Sequence, residues 1–256
     1  MQQSQIAATA AHAPSTVAAD EIERFRRMAD SWWDPEGEYR ALHRLNPLRA
    51  CYVRDRLVEH FGLDVESERP LTGLAIIDIG CGGGLLSEAL ARFGASVVAI
   101  DAEADSIRIA ETHAREEGLS IAYRCATAEE LQREGLRFDA VVTMEVVEHV
   151  ADVPAFVHAA AGLIRPGGAL VVATLNRTLK SLALAKIAAE YVLRWVPRGT
   201  HDWRKFVRPS ELAALMRAEG LQIADVRGFV YDVAKDDWSL GRDLDVNYVA
   251  FATAAP

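Results

Sequence analysis

Cysteine is scarce in this chain: Cys51, Cys81 and Cys125 are the only three in 256 residues, and no Cys-x-x-Cys pair occurs. A disulfide framework and a cysteine-based zinc site are thereby excluded, and the usage fits a reducing compartment. Positive charge is also in short supply. Lys and Arg number 28 against 37 Asp and Glu, a formal net charge of −9. Without a basic excess to neutralise phosphates, nucleic acid is not expected as a partner. No run of about 18 uncharged apolar residues is present, so no helix is expected to span a membrane. Residues 1–19 lack a basic segment followed by an apolar core. Rich in Ala, Ser, Thr and Gln, they read as a disordered tail and not as a secretory signal. With 50% hydrophobic and 25% charged residues, the balance is that of a globular enzyme, expected in the cytoplasm.

The most informative feature is glycine at one place. Residues 75–86 read AIIDIGCGGGLL: an apolar run ending in Ile79, then Gly80, Gly82, Gly83 and Gly84, then an amphipathic stretch. This is a strand, a glycine turn and a helix N-terminus, where backbone can approach a ligand with no Cβ in the way. A second apolar run, 96–100, ends in Asp101, at the distance where nucleotide-binding α/β domains place a carboxylate for ribose hydroxyls. A dinucleotide fingerprint requires G-x-G-x-x-G, but Leu85 stands at its third glycine. With Asp78 ahead of it, the turn instead resembles the D-x-G-x-G motif of class I S-adenosylmethionine (SAM) methyltransferases, whose ligand carries an amino-acid tail in place of phosphates.

Alternating patterns organise the chain. Helices are predicted at 20–33 and 40–61, the second interrupted near Asn46-Pro47. Strands at 74–79, 96–100, 121–124, 138–143 and 169–174 alternate with helices at 85–93, 105–117 and 153–164. Pro166-Gly167-Gly168 is predicted as a sharp turn feeding the fifth strand. After an interruption at 175–207, a helix at 209–220 and strands near 221–230 and 245–253 close the pattern. The expectation is a Rossmann-like α/β fold: a seven-stranded, mostly parallel sheet with helices on both faces. Residues 20–256 are expected to form one domain, with a helical cap (20–62) and a helical insertion (175–207).

In such sheets ligands bind beyond the carboxyl ends of the strands. The segment after the fourth strand, Thr143-Met144-Glu145-Val146-Val147-Glu148-His149, is the most heavily loaded with functional groups. On a helix Glu145, Glu148 and His149 would share one face, at i, i+3 and i+4. They would then suit a Mg²⁺ or another divalent cation, or His149 would serve alone as general base. Acidic residues favouring a helix dipole are the plainer explanation.

Flanking motifs narrow the comparison. Ser31-Trp32-Trp33-Asp34, Leu42-His43-Arg44-Leu45-Asn46-Pro47-Leu48-Arg49, Thr174-Leu175-Asn176-Arg177 and Val196-Pro197-Arg198-Gly199-Thr200-His201-Asp202 resemble the ubiquinone-biosynthesis O-methyltransferase family. The resemblance implies methylation of hydroxyls on polyprenylated catechol and hydroquinone-type rings at two steps of that pathway. It implies SAM contacts from Arg49, Gly80, Asp101 and Met144, and a catalytic or metal-binding role for Glu145, Glu148 and His149. A hydrophobic polyprenyl phenol is the implied substrate, and a ubiquinone-biosynthesis complex an implied setting. One departure concerns adenine: the Asp that many methyltransferases carry after the third strand is absent, leaving Ala126 or Thr127 for that contact.

Within the insertion, 179–196 combines Lys180, Lys186 and Arg194 with Leu182, Leu184, Ile187 and Leu193. Core packing accounts for such a helix. So does peripheral attachment to an anionic membrane, on its inner face, beside a site that receives a prenyl tail.

Overall fold

A computed structural model describes residues 32–37, 39–183, 202–232 and 234–256. Its centre is β1 (Ala75–Ile79), five residues almost wholly buried. Neighbouring side chains on a strand point to opposite faces, so Ile76 joins one core cluster while Ile77 and Ile79 join the other. The other parallel strands are β2 (Ser96–Asp101), β3 (Ala122–Cys125), β4 (Phe138–Met144) and β5 (Ile164–Leu175). Three further strands pair antiparallel with their neighbours: β6 (Gln222–Asp232), β7 (Asp237–Gly241) and β8 (Asn247–Thr253).

The sheet order is β3-β2-β1-β4-β5-β8-β6-β7. From β1 the chain builds outward through β2 to β3, then returns to add β4 on the other side. That reversal opens a crevice at the carboxyl ends of β1 and β4, where this class of sheet takes its ligands. Helices α2 (Leu85–Arg92), α3 (Ala104–Glu116), α4 (Ala128–Arg133) and α5 (Val153–Gly162) connect the parallel strands. Before them comes α1 (Arg40–Phe61); α6 (Pro209–Ala218) precedes β6. One face packs Val53 and Leu57 of α1 and Leu90 of α2 against Val97, Val142 and Val171. The opposite face packs Phe156 and Val157 of α5 and Leu212 and Met216 of α6 against Ile77, Val141 and Tyr248.

Three details depart from expectation. The helix at 40–61 is not interrupted: α1 runs continuously through Pro47. The missing N–H and the ring clash cost about 3 kcal/mol in an isolated helix. Burial of Leu45, Tyr52, Val53, Leu57 and Val58 offsets this, and the Asn46 side chain pins the helix by donating to the Leu85 carbonyl at 2.9 Å. Pro166-Gly167-Gly168 does not precede the fifth strand but lies inside it as a bulge. The register jumps there from Phe138↔Ile164 to Ala140↔Ala169, with Gly167 at φ +72. The sheet has eight strands, because β7 adds an exposed edge without the alternation that marks a half-buried strand.

The predicted helix at 20–33 falls almost wholly outside the described residues, as do the 1–19 tail and the stretch 184–201 of the insertion. At the start of the insertion, Leu179–Ser181 forms one helical turn capped by the Thr178 hydroxyl.

Candidate active site

The glycine turn after β1 is tied to β2 by the N–H groups of Gly80 and Cys81, which donate to the Ile100 carbonyl at 2.8 and 3.0 Å. Gly80 takes φ +74, and a Cβ there would lie 2.2 Å from Val146 Cγ2. Only glycine permits both the left-handed backbone and the close approach of the segment following β4. The reversal of strand order thus brings residues 80 and 146 into contact.

Asp101, at the tip of β2, closes the turn from the other side. Its Oδ2 accepts from Gly82 N and its Oδ1 from Glu103 N, each at 2.9 Å. Burial raises its pKa, while these N–H groups pull it down. Each oxygen retains a lone pair, so the carboxylate can also accept from a ribose hydroxyl. Glu103 is committed elsewhere, capping α3 by accepting from Asp105 N and Ser106 N. Asp78 lies deeper and accepts from Ser87 Oγ at 2.6 Å. Its pKa is pushed up to about 6, chiefly by burial.

Arg49 comes from α1, outside the parallel sheet, yet the residue is only 5% exposed and its guanidinium forms an ion pair with Glu145. Its Nε is buried without a hydrogen-bond partner. A buried cation with an open donor suits an incoming carboxylate. Glu145 follows Met144, the half-buried last residue of β4, and takes φ +58, which non-glycine residues rarely adopt.

This conformation corrects the helical reading of 145–149. Instead of a helix, Val147–His149 forms a single 3-10 turn. Glu145 is drawn to Arg49. Glu148, 2% exposed, turns inward, where Oε2 accepts from Thr174 Oγ1 at 2.7 Å and Oε1 has no partner. Burial raises the Glu148 pKa; the His149 charge acts against it and Glu145 with it. The three groups therefore do not share one face. Among the described residues, no group of three or more His, Cys, Asp or Glu side chains is placed to hold a metal ion. The residues present do not fit the divalent cation expected from their spacing.

Thr127 is engaged as the cap of α4, its hydroxyl accepting from Glu130 N at 3.3 Å within a capping box. Two features went unrecognised as parts of the site. Thr174, in β5, anchors Glu148, a partnership that sequence spacing does not reveal. The Trp32-Trp33 pair covers the glycine turn: a Cβ on Gly82 would meet the Trp32 ring at 2.4 Å, and Trp33 Nε1 donates to Gly83 O at 3.0 Å. Trp33 also stacks on His113, with ring centroids 3.4 Å apart. Two adjacent tryptophans in the short segment ahead of α1 are the signal that could have been read.

The fold is similar to that of magnesium protoporphyrin IX methyltransferase from Synechocystis PCC 6803 with bound SAH. The TM-score is 0.62 at 20% identity, covering 93% of this chain and 95% of that one. A SAM-dependent methyltransferase from Clostridium acetobutylicum matches with TM-score 0.59 at 13% identity, covering 91% and 99%. This sheet order, with a glycine turn after β1 and a carboxylate at the tip of β2, is the Rossmann-like fold that these SAM-dependent methyltransferases share. The family described as "Methyltransferase domain" matches residues 49–226. The chain is 52% identical over 238 residues to ubiquinone biosynthesis O-methyltransferase of Chelativorans sp. (strain BNC1), covering 93% of this chain and 94% of that protein. With the protein of that name from Rhizobium etli it shares 52% over 240 residues, covering 94% and 97%. The chain belongs to the ubiquinone biosynthesis O-methyltransferase family.

Proposed function

We propose that this enzyme methylates ring hydroxyls of polyprenylated catechol and hydroquinone-type intermediates, at both O-methylation steps of ubiquinone biosynthesis. One observation carries the placement of the chemistry: Val146 packs against Gly80, so the segment bearing Glu148 and His149 adjoins the turn that receives the donor. Arg49 receives the donor's carboxylate, the Gly80 turn its amino-acid arm, Asp101 its ribose and Met144 its adenine.

SAM supplies a methyl group already activated by its sulfonium. What remains for the protein is alignment and deprotonation. A phenol with a pKa of ~10 is scarcely ionised at neutral pH, so a base near the hydroxyl raises the reactive fraction. His149 takes that proton. Glu148, buried beside it and held by Thr174, stabilises the imidazolium and keeps the turn in place. Glu145 is paired with Arg49 and Glu148 with Thr174, so deprotonation falls to His149. Incubating the enzyme with labelled SAM and a short-chain prenyl catechol, with and without chelator, tests this: turnover should survive chelation and fall sharply in His149→Ala.

A second reading concerns where the enzyme works, and exposed Leu179 (77%) favours it. The segment beginning there rests on an anionic membrane, and no helix among the described residues is long and apolar enough to cross one. Lys180 contributes little to this attachment, since it pairs with Asp243 and Asp245. Lys186 and Arg194 lie outside the described residues. Replacing Leu182, Ile187 and Leu193 with Ser should reduce co-sedimentation with anionic liposomes while sparing a water-soluble catechol. Equal loss on both substrates would instead indicate core packing.

A further inference from the structure

Arg49 uses only half of one edge of its guanidinium. Among the described residues its carboxylate partner is Glu145, which meets a single nitrogen, Nη2. Nε lies on the same side-on edge, and it is buried with no partner. An edge of this kind binds a carboxylate through two parallel N–H bonds when geometry permits. Glu145 makes one. Its backbone explains the compromise. The Glu145 N–H is committed to the Ala173 carbonyl at 2.8 Å, and the residue is held at φ +58.

We propose that Glu145 is a built-in stand-in for the donor's α-carboxylate, occupying the Arg49 fork until SAM takes it. The inference rests on the reading that Arg49 receives that carboxylate. A cation this deeply buried is costly without a counter-charge, so Arg49 needs an anion from within the chain whenever no donor carboxylate is bound. Glu145 supplies one, but through one nitrogen and from a strained backbone. A free carboxylate can take both N–H groups and displaces it. Donor affinity is then the outcome of a competition, and Glu145 is a positioning residue at the donor end of the site. Donor binding shifts Glu145 away from Arg49.

Calorimetric titration of wild type and Glu145→Gln separates the possibilities, using S-adenosylhomocysteine and 5′-methylthioadenosine, which lacks the amino-acid arm. Gln keeps the shape and removes the competing charge. S-adenosylhomocysteine should bind Glu145→Gln tighter by about tenfold or more, in line with the coupling of close buried charges. Methylthioadenosine should bind both proteins equally, and the gain should vanish in an Arg49→Met background. Unchanged or weaker S-adenosylhomocysteine binding by Glu145→Gln, with Arg49→Met still impaired, overturns the stand-in and leaves the carboxylate clamp intact. Full affinity in Arg49→Met overturns the clamp itself, and the stand-in with it. If Glu145→Gln does not fold, Glu145→Asp, one methylene short of the fork, serves the same test: tighter binding supports the proposal and unchanged or weaker binding refutes it.

Discussion

Thr174 donates its hydroxyl to Glu148 at 2.7 Å, linking β5 to the turn that follows β4 through two buried side chains. Thr174→Val keeps the shape and removes the side-chain donor to the buried Glu148 carboxyl. The expected cost is about 1–3 kcal/mol of stability, the usual penalty for a buried polar group that loses its bond. Turnover should fall with it while SAM affinity holds. Denaturant unfolding measures the first effect and calorimetry the second. Thr174→Ser should recover most of the loss, and unaltered stability in Thr174→Val would show that the bond contributes nothing.

Asp78 predicts a pH dependence of stability. Burial pushes its pKa up to about 6 from an ordinary 3.8, with Ser87 opposing. A carboxyl raised in the folded state contributes stability that is fully present below its unfolded pKa and is lost as pH rises through the folded value. The shift corresponds to about 3 kcal/mol lost by neutral pH. Asp78→Asn still offers Ser87 an acceptor and cannot ionise. Its stability should match wild type near pH 4 and exceed it at pH 7. Parallel declines in the two proteins would contradict this origin.

Gly80→Ala is expected to be damaging for two separable reasons, the contact with Val146 and the φ of +74. Strain at such a position costs on the order of 1–3 kcal/mol. Adding Val146→Ala should restore the part due to collision and leave the backbone part. Thermal unfolding of the single and double variants distinguishes them; full rescue would mean that the backbone carries no strain.

The glycine turn, Asp101 and strands β1 to β5 were legible because each is local: a short apolar run, a residue that tolerates positive φ, a charge at a strand tip. Residues 145–149 were misread for the opposite reason. Their spacing fits a helix, but Ala173 holds the Glu145 backbone, Arg49 its carboxylate and Thr174 its neighbour Glu148, all from distant parts of the chain. Pro47 misled in the same way, since burial along α1 outweighs the local break. β7 is a largely exposed hairpin strand of five residues, held by its partner β6 and by Trp238 packing on the core, neither of which is local in sequence pattern.

Asp101 should matter to both loop and ligand. Asp101→Ala removes the acceptor for Gly82 N and Glu103 N as well as the proposed ribose contact. SAM binding should weaken by about 1.5–3 kcal/mol, the range for hydrogen bonds to a charged group. NAD should bind neither protein. Undiminished SAM affinity in Asp101→Ala would remove the residue from the donor site.

The most direct test of the central claim is labelled methyl transfer from SAM to a short-chain prenyl catechol, compared between wild type, Glu148→Gln and His149→Ala, with SAM affinity measured in parallel. The expected result is a loss of turnover of about 10²-fold or more in His149→Ala, a smaller loss in Glu148→Gln, and donor binding close to wild type in both. Full turnover in His149→Ala, or no methylated catechol from the wild-type enzyme, would contradict the account.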